Sequence, residues 1–310
     1  MRQFFTGLML TCALALPALC QKSSNPFVGR WDFTIDTATG VGANWLGVTD
    51  KGGKVEVWFQ PTGGHVIPVK DFKLEGSHLS FQSAEAHGNR PATTWDLDAA
   101  NGKLTGMQKG GAKEIALTGV RAPALHRAEP KAWTAPEPIF DGKDLNGFKP
   151  IGKAPSHWVV KDGLLINEAH GANLMTTRKF EDFKVHFEAN CPNEANSGFY
   201  LRGRYEMQLE YEPADKNPIE RRMGAIYGRI APSVELPQTP GQWETFDITL
   251  VGRIVTIARN GKTTIDHKEI EGITGGALDA NEGEPGPFYI QGDHTGGLKF
   301  RNITVSVPKK

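Results

Sequence analysis

Short stretches of alternating apolar and polar residues, separated by glycine-rich turns, dominate the first third of the chain. Residues 31–35 (Trp-Asp-Phe-Thr-Ile) and 55–59 (Val-Glu-Val-Trp-Phe) are two examples. A period of two places apolar side chains on one face of a β-strand, and frequent turns between such strands are typical of antiparallel barrels and sandwiches. Residues 24–122 therefore predict an N-terminal antiparallel β domain of about eight strands, either a small barrel or a sandwich.

A proline-rich stretch at residues 123–138 follows, and it is predicted to be a linker because proline has no backbone N–H for a sheet. Residues 139–310 then show a second series of strand patterns, with a hairpin signal at Asn260-Gly261. Within it, residues 213–240 form a long, polar, proline-rich loop of a kind that often carries function. Long amphipathic helical stretches are hard to find, so the predicted fold class is all-β.

The N-terminus has the pattern of a secretory signal peptide, predicted to span residues 1–20. Its apolar run, residues 4–19, is too short and too early for a membrane-spanning helix. We expect an exported chain, periplasmic or extracellular, whose mature form has no transmembrane segment. Lipid attachment at Cys20 is the less favoured alternative, because the residue before it is not small. Cys191 is then the single cysteine of the mature chain, which predicts no intramolecular disulfide.

Charge and motif content exclude several function classes. The chain has 35 basic and 35 acidic residues and no long basic run, so nothing favours a nucleic acid partner. It has no His-x-His, Cys-x-x-Cys or His-Glu-x-x-His spacing, and no metal is predicted. No glycine-rich phosphate loop stands out, and no cofactor is predicted either.

The most informative segment is residues 196–211. Side chains alternate across a strand, so Tyr200 and Arg202 are predicted to share one face before a turn at Gly203. The next strand presents three polar side chains on one face: Glu206, Gln208 and Glu210. A solvated sheet face is the simpler interpretation of this pattern alone. The density of phenol, guanidinium, carboxylate and amide groups, which all hydrogen-bond sugar hydroxyls, favours a groove for carbohydrate.

A second polar cluster lies near the C-terminus. A strand ends in Gln291, and a glycine-rich turn then presents Asp293 and His294. An imidazole titrates near neutral pH, so His294 is a candidate acid or base. An exposed turn histidine without a role is the alternative.

An ordered set of motifs in residues 138–307 resembles the 3-keto-disaccharide hydrolase family. The resemblance implies a concanavalin A-like jelly-roll sandwich with a concave, carbohydrate-facing sheet. It does not extend to residues 24–122, which are similar only in style to lipocalin-like barrels. The motifs are Phe140-Asp-Gly-Lys-Asp-Leu-Asn-Gly-Phe148, Trp158-Val-Val-Lys-Asp-Gly-Leu-Leu165, Asn196-Ser-Gly, Arg202, Tyr205-Glu-Met-Gln208, Gly224-Ala-Ile-Tyr227, Trp243, Asn260-Gly261, Gln291-Gly-Asp-His294 and Phe300-Arg-Asn-Ile303.

The resemblance also implies a chemistry. A ketone at C3 of a sugar acidifies the hydrogen on C2, so a base can remove it and the glycosidic oxygen can leave by elimination, after which water adds back. Glu206 or His294 is predicted to be the base and the other the acid, with Arg202 stabilising the enolate. The predicted substrate contacts are Asn196, Tyr200, Gln208, Tyr227, Gln291 and Asp293.

Two alternatives stay open at this point. The first is a non-catalytic carbohydrate-binding module, with Tyr200, Tyr227 and Trp243 as an aromatic platform. The second is a retaining glycosidase, because Glu206 and Glu210 resemble the nucleophile strand of jelly-roll glucanases. Residues four apart on a flat strand lie roughly 13 Å apart, whereas a retaining pair of carboxyls is about 5 Å apart. The second alternative therefore needs a bulge or a strong bend.

Overall fold

The structure is a computed structural model, and it describes residues 25–37, 40–83, 92–111, 113–211 and 217–309. In these ranges the regular elements are β-strands and one 3₁₀ turn at Ile219–Arg221, which confirms the all-β prediction. The predicted signal peptide and the alternative lipid site at Cys20 lie outside the described residues. Within those ranges, no helix is both long and apolar enough to cross a membrane.

The N-terminal part forms one antiparallel sheet of nine strands, one more than the eight or so expected, and we call it the N-terminal sheet. The strands are β1 (Gly29–Thr37), β2 (Gly40–Lys51), β3 (Lys54–Gln60), β4 (Ile67–Val69), β5 (Phe72–Glu75), β6 (His78–Ser83), β7 (Thr93–Ala100), β8 (Lys103–Lys109) and β9 (Ile115–Arg121). Their order is β4-β3-β2-β1-β9-β8-β7-β6-β5. Because β4 also contacts β6, the sheet curls into a barrel-like shape. Its core is rich in aromatic rings, for example Phe59 and Trp95 with centroids 4.6 Å apart.

The C-terminal part is a sandwich of two antiparallel sheets, as the jelly-roll prediction requires. The larger sheet contains β10 (Glu137–Pro138), β12 (Trp158–Lys161), β13 (Leu164–Asn167), β15 (Phe183–Asn190), β18 (Trp243–Val251), β19 (Ile254–Arg259), β20 (Lys262–Glu269) and β22 (Lys299–Ser306). The smaller sheet contains β11 (Phe148–Ile151), β14 (Asn173–Thr176), β16 (Asn196–Leu201), β17 (Tyr205–Glu210) and β21 (Tyr289–Ile290). The order of the smaller sheet is β11-β14-β21-β16-β17. The predicted hairpin between β19 and β20 is confirmed, with positive φ at both Asn260 and Gly261.

The two sheets of the sandwich enclose one apolar core. Phe187 of the larger sheet stacks on Phe199 of the smaller sheet, with ring centroids 4.3 Å apart. Met207 and Leu209 of β17 point into the same core. Because side chains alternate along a strand, the opposite face of the smaller sheet is left to the polar residues of β16 and β17.

The segment between the N-terminal sheet and the sandwich is anchored at its end. The backbone N–H of Thr134 donates to the carbonyl of Val307 at 2.9 Å. Strand β10, the last two residues of the predicted linker, pairs with β22. The end of the proline-rich stretch thus belongs to the larger sheet, which fixes the direction in which the sandwich begins.

The N-terminal sheet rests against the sandwich through the outer face of β1 and β2. Leu46 points into the barrel-like core, whereas the neighbouring Trp45 points outward and joins the sandwich core. The guanidinium of Arg229 lies 4.2 Å from the centroid of the Trp45 ring. A Cβ atom at Gly272 would come within 2.3 Å of the indole nitrogen, so only glycine allows this approach. The two parts are therefore closely packed at this contact.

The same interface buries a carboxyl group. Asp32 of β1 points toward the sandwich and is 1% exposed. Burial first and the nearby Glu282 carboxylate second raise the pKa of Asp32 to about 10, against the opposing charges of Arg253 and Arg229. The folded protein therefore favours the protonated, uncharged form of Asp32.

Asp32→Asn should stabilise the protein most at alkaline pH. The unfolded chain releases this proton near pH 3.8, whereas the folded chain holds it up to about pH 10, so the free energy of unfolding falls as pH rises through this window. Asparagine has no proton to lose. The melting temperature of the variant minus that of the wild type should grow between about pH 5 and pH 9. The exposed turn variant Asp162→Asn is the control, and a difference that is constant over this range would contradict the assignment.

Candidate active site

A polar cleft of about 990 Å³ covers the outer face of the smaller sheet, at the upper end of the usual size range of ligand pockets. All but one of the residues predicted from the sequence line it. These are Asn196, Tyr200, Glu206, Gln208, Tyr227, Gln291, Asp293 and His294. The two polar clusters of the sequence therefore meet in one place.

Strand pairing explains why these side chains meet. Strand β16 lies between β17 and β21, so that Tyr200 is opposite Glu206 on one side and Tyr289 on the other. Gly198 lies diagonally across from Glu206, and a Cβ atom there would come 2.4 Å from the Glu206 carboxylate. A glycine at this position leaves the carboxylate room to lie over β16.

Glu206 is buried, and burial raises the pKa of its carboxyl group to about 8. A hydrogen bond with Tyr200 and the charge of His294 lower the pKa, whereas the charges of Asp293 and Glu210 raise it. A carboxyl group with a pKa near neutral pH can both take up and release a proton under ordinary conditions.

His294 is held by a carboxylate on the adjacent residue. Its Nδ1 atom lies 2.9 Å from Oδ1 of Asp293. This hydrogen bond is the largest cause of an increase in the pKa of His294, and the charges of Asp293, Glu206 and Glu210 add to it. Asn173 fixes the turn, because its Oδ1 accepts the backbone N–H of Gly292 at 2.7 Å and that of Asp293 at 3.1 Å. The arrangement favours a protonated imidazole.

Buried phenols and amides complete the floor of the cleft. The rings of Tyr200 and Tyr289 stack with centroids 4.0 Å apart, and Gln291 donates to the Tyr200 hydroxyl at 3.1 Å. Gln208 donates to Glu210 at 2.5 Å. The side-chain carbonyl oxygens of Gln208 and Gln291 are buried and accept no hydrogen bond from the protein. Such acceptors are suited to the hydroxyl groups of a ligand.

Arg202 does not line the cleft, which corrects the prediction that it shares a face with Tyr200. Strand β16 ends at Leu201, and Arg202 adopts φ +53 in the turn, so strand alternation no longer applies to it. Its buried guanidinium donates to the carbonyl of Gly252 at 2.7 Å and to the hydroxyl of Tyr205 at 3.2 Å. Tyr205 belongs to the sandwich core, so Arg202 serves the packing of the sandwich.

Arg221 is a cationic residue of the cleft that the sequence pattern did not indicate. It lies at the end of the 3₁₀ turn Ile219–Arg221 and lines the cleft. Its side chain hydrogen-bonds Tyr227, and its Nε atom is buried without a protein partner. The unusual length and polarity of residues 213–240 were the features of the sequence that pointed to this loop as functional. An irregular loop has no period, so the sequence pattern could not indicate which of its residues faces the ligand.

Among the residues that the structure describes, no three His, Cys, Asp or Glu side chains are grouped as metal ligands would be. Cys191 is buried, and burial raises the pKa of its thiol to about 12.

Residues 135–306, more than half of the chain, match the family model of the 3-keto-alpha-glucoside-1,2-lyase-like domain. The chain belongs to this family. The resemblance found in the sequence motifs is thereby confirmed, and the lyase-like domain coincides with the sandwich and the end of the segment before it. The coarse function is therefore carbohydrate-active.

Solved structures are similar to part of this chain. One of a "putative glycosyl hydrolase" from Parabacteroides distasonis has 26% identity and a TM-score of 0.48 and covers 58% of this chain and 92% of its own. A second with the same description has 18% identity, a TM-score of 0.44 and coverages of 57% and 94%. A carbohydrate-binding module from Bacillus subtilis has 9% identity, a TM-score of 0.33 and coverages of 52% and 96%. No curated protein sequence matches the chain.

Proposed function

We propose that the protein cleaves the glycosidic bond of 3-keto-glycosides by elimination followed by hydration. The observation that carries the proposal is Glu206, a buried carboxyl group with its pKa raised to about 8 in a polar cleft that also holds His294. A carboxylate whose pKa is raised to about 8 is a stronger base than an ordinary carboxylate, and it becomes available for removal of a carbon-bound hydrogen as the pH rises through that value. The family match supports the substrate class.

The two titrating groups suit different steps. Glu206 takes the C2 hydrogen as a proton, and the electron pair of that bond forms the enolate with the C3 ketone. The enolate electrons then form the C1–C2 double bond as the C1–O bond breaks, and His294 gives its proton to the leaving oxygen. Water adds to C1 and a proton returns to C2, giving net hydrolysis. The raised pKa of His294 keeps its imidazole protonated and able to act as the acid, and the raised pKa of Glu206 makes its carboxylate a stronger base once it is ionised.

Arg221 takes the role that the sequence assigned to Arg202. It is a cation in the cleft with an unpartnered N–H, and Tyr227 is its neighbour. A donor directed at a developing oxyanion in a water-poor site commonly contributes two to three powers of ten, roughly 10²–10³, in rate. We therefore infer that Arg221 stabilises the enolate oxygen at C3.

Arg221→Gln should lower kcat/KM for a 3-keto-glucoside by about 10²-fold. Glutamine keeps a donor but removes the charge that balances the enolate. Steady-state kinetics of aglycone release give the measurement, with the half-exposed surface variant Arg178→Gln as the control. Unchanged kinetics in the cleft variant would remove Arg221 from the scheme.

The retaining-glycosidase alternative lacks support from the strand geometry. The pairing of β16 with β17 runs without a register shift from Asn196–Glu210 to Leu201–Tyr205, so no bulge brings Glu210 toward Glu206. The Glu210 carboxylate is also occupied by Gln208 and by Asn217, whose Nδ2 lies 2.8 Å away.

The binding-module alternative is disfavoured by the arrangement of the aromatic rings. Tyr200 and Tyr289 are buried and stack on each other, so neither presents an open ring face. Trp243 lies on β18 of the larger sheet beneath the guanidinium of Arg301. The predicted platform of Tyr200, Tyr227 and Trp243 is therefore not assembled in the cleft.

The test is incubation with a panel of 3-keto-glucosides and the corresponding ordinary glucosides, with aglycone release as the readout. We expect release from the keto sugars only. Release from ordinary glucosides would support the retaining glycosidase, and binding without release would support the module.

Export is also part of the proposal. The pattern of residues 1–20 favours a chain that acts in the periplasm or outside the cell. Detection of the mature protein in the periplasmic or secreted fraction, with a processed N-terminus, is the expected result.

A further inference from the structure

We propose that the turn at residues 62–64 of the N-terminal sheet, which we call the rim turn, forms an outer wall of the cleft and limits the size of the group attached to the keto sugar. The identity of that sugar rests on the function proposed above. Thr62, Gly63 and Gly64 line the cleft together with the catalytic groups of the sandwich. The N-terminal sheet thus contributes directly to the substrate site.

The rim turn is fixed to the segment that lies behind Tyr200. The backbone N–H of Gly63 donates to the carbonyl of Gly275 at 2.6 Å. A Cβ atom at Gly275 would come 1.8 Å from the carbonyl oxygen of Gly64, and one at Gly276 would come 2.1 Å from the Tyr200 hydroxyl. Because Tyr200 hydrogen-bonds Glu206, one layer of backbone separates the rim turn from the proposed catalytic base.

The N-terminal sheet also supports the loop that carries Arg221 and Tyr227. Gly228 has φ +64, and a Cβ atom there would come 2.8 Å from the Cβ of His65. Arg229 donates to the side-chain oxygen of Gln60 at 3.2 Å, next to its contact with Trp45. The rim turn is therefore held on two sides by segments that line the cleft.

The rim turn is itself well ordered by its own sheet. The backbone N–H of Thr62 donates to the Asn44 side chain at 2.9 Å, and its hydroxyl donates to the carbonyl of Ala43 at 3.1 Å. Gly63 is exposed, and a Cβ atom there would meet nothing within 4 Å. A fixed wall with an open tip restricts what extends beyond the sugar bound over Glu206.

The test adds a bulky group to Gly63, at the tip of the rim turn, after the protein has folded. Gly63→Cys is purified and then modified with benzyl methanethiosulfonate, so that the unmodified variant reports any effect of the substitution itself. Gly52→Cys is the matched control, because Gly52 also has positive φ (+64 against +74), is exposed and has nothing within 4 Å, but does not line the cleft. Wild-type protein treated with the same reagent controls for the native cysteines.

The substrates are a methyl 3-keto-glucoside and a 3-keto-disaccharide. Modification at position 63 should lower kcat/KM for the disaccharide about tenfold, the loss of roughly 1.4 kcal/mol of binding, and leave the methyl glycoside within about twofold. Modification at position 52 should change neither. No effect at position 63, or an equal loss on both substrates, would overturn the proposal.

Failure of the proposed function is distinguishable from failure of this inference. If the wild type turns over no 3-keto-glucoside, binding of methyl α-glucoside and maltose to the same proteins is measured by calorimetry. Selective loss of maltose binding on modification at position 63 would still support the wall. Equal binding of both sugars before and after modification, or no binding to the wild type, would overturn it.

Discussion

Glu206→Gln should lower kcat for a 3-keto-glucoside by about 10³-fold while the protein stays folded. General acid–base catalysis by a positioned side chain contributes roughly 10²–10⁴-fold, and no other carboxyl group in the cleft occupies the position opposite Tyr200. Glutamine has nearly the same shape and keeps the hydrogen bond with the Tyr200 hydroxyl, but it cannot accept the C2 proton. The rate of aglycone release at saturating substrate gives the measurement.

The stability of this variant provides an independent check. Burial raises the pKa of Glu206 to about 8, so the charged form is costly in the folded state and a neutral amide should raise the melting temperature at alkaline pH. Glu188→Gln is the matched control, a strand carboxylate of the larger sheet that bonds Arg301 and Asn302, and its kcat should stay within about twofold of the wild type. Full activity of Glu206→Gln would remove this residue from the mechanism.

His294→Gln should lower kcat/KM by about 10²-fold and change the shape of the pH profile. The active form has Glu206 unprotonated and His294 protonated. Wild-type activity should therefore rise with pH through the pKa of Glu206 and fall through the pKa of His294, which lies above its usual 6.5. The variant should lose the alkaline fall, because glutamine does not titrate.

The acidic limb of that profile should move as well. The positive charge of His294 lowers the pKa of Glu206, so its removal should shift the rise in activity to higher pH. His186→Gln is the matched control, because His186 is a histidine of the larger sheet whose Nδ1 lies 2.8 Å from Asp247. A bell-shaped profile that survives in His294→Gln would contradict the assignment of His294 as the acid.

Strand alternation predicted part of the site and failed where strands end. The polar faces of β16 and β17 follow from the period of two, and Glu206 and Gln208 lie where the pattern puts them. Arg202 follows the last residue of β16 and turns toward the core. Strand alternation says nothing of residues beyond the end of a strand, so it placed the Arg202 side chain on the wrong face.

Strand alternation could not predict which segments that are distant in the sequence come into contact. His294 and Glu206 line the same cleft because β21 pairs with β16, and the order of non-consecutive strands in a sheet is not encoded in local alternation. The prediction that the two polar clusters share one site came from the family resemblance and not from the spacing of the residues. Asp32 and Trp45 illustrate the same limit, since alternation indicates that they face away from their own core but not that a second sheet covers them.

In the proposed mechanism the C2 hydrogen of the sugar is removed during cleavage. The most direct measurement is turnover of a 3-keto-glucoside in D₂O, with the 3-keto-glucose product analysed by NMR and free 3-keto-glucose incubated alone to correct for spontaneous exchange. Elimination and hydration place a solvent deuterium at C2 when the proton on Glu206 exchanges with D₂O before water adds, and they slow the release of aglycone from a substrate deuterated at C2. A product that keeps its original C2 hydrogen, together with an unchanged rate for the substrate deuterated at C2, would contradict the account.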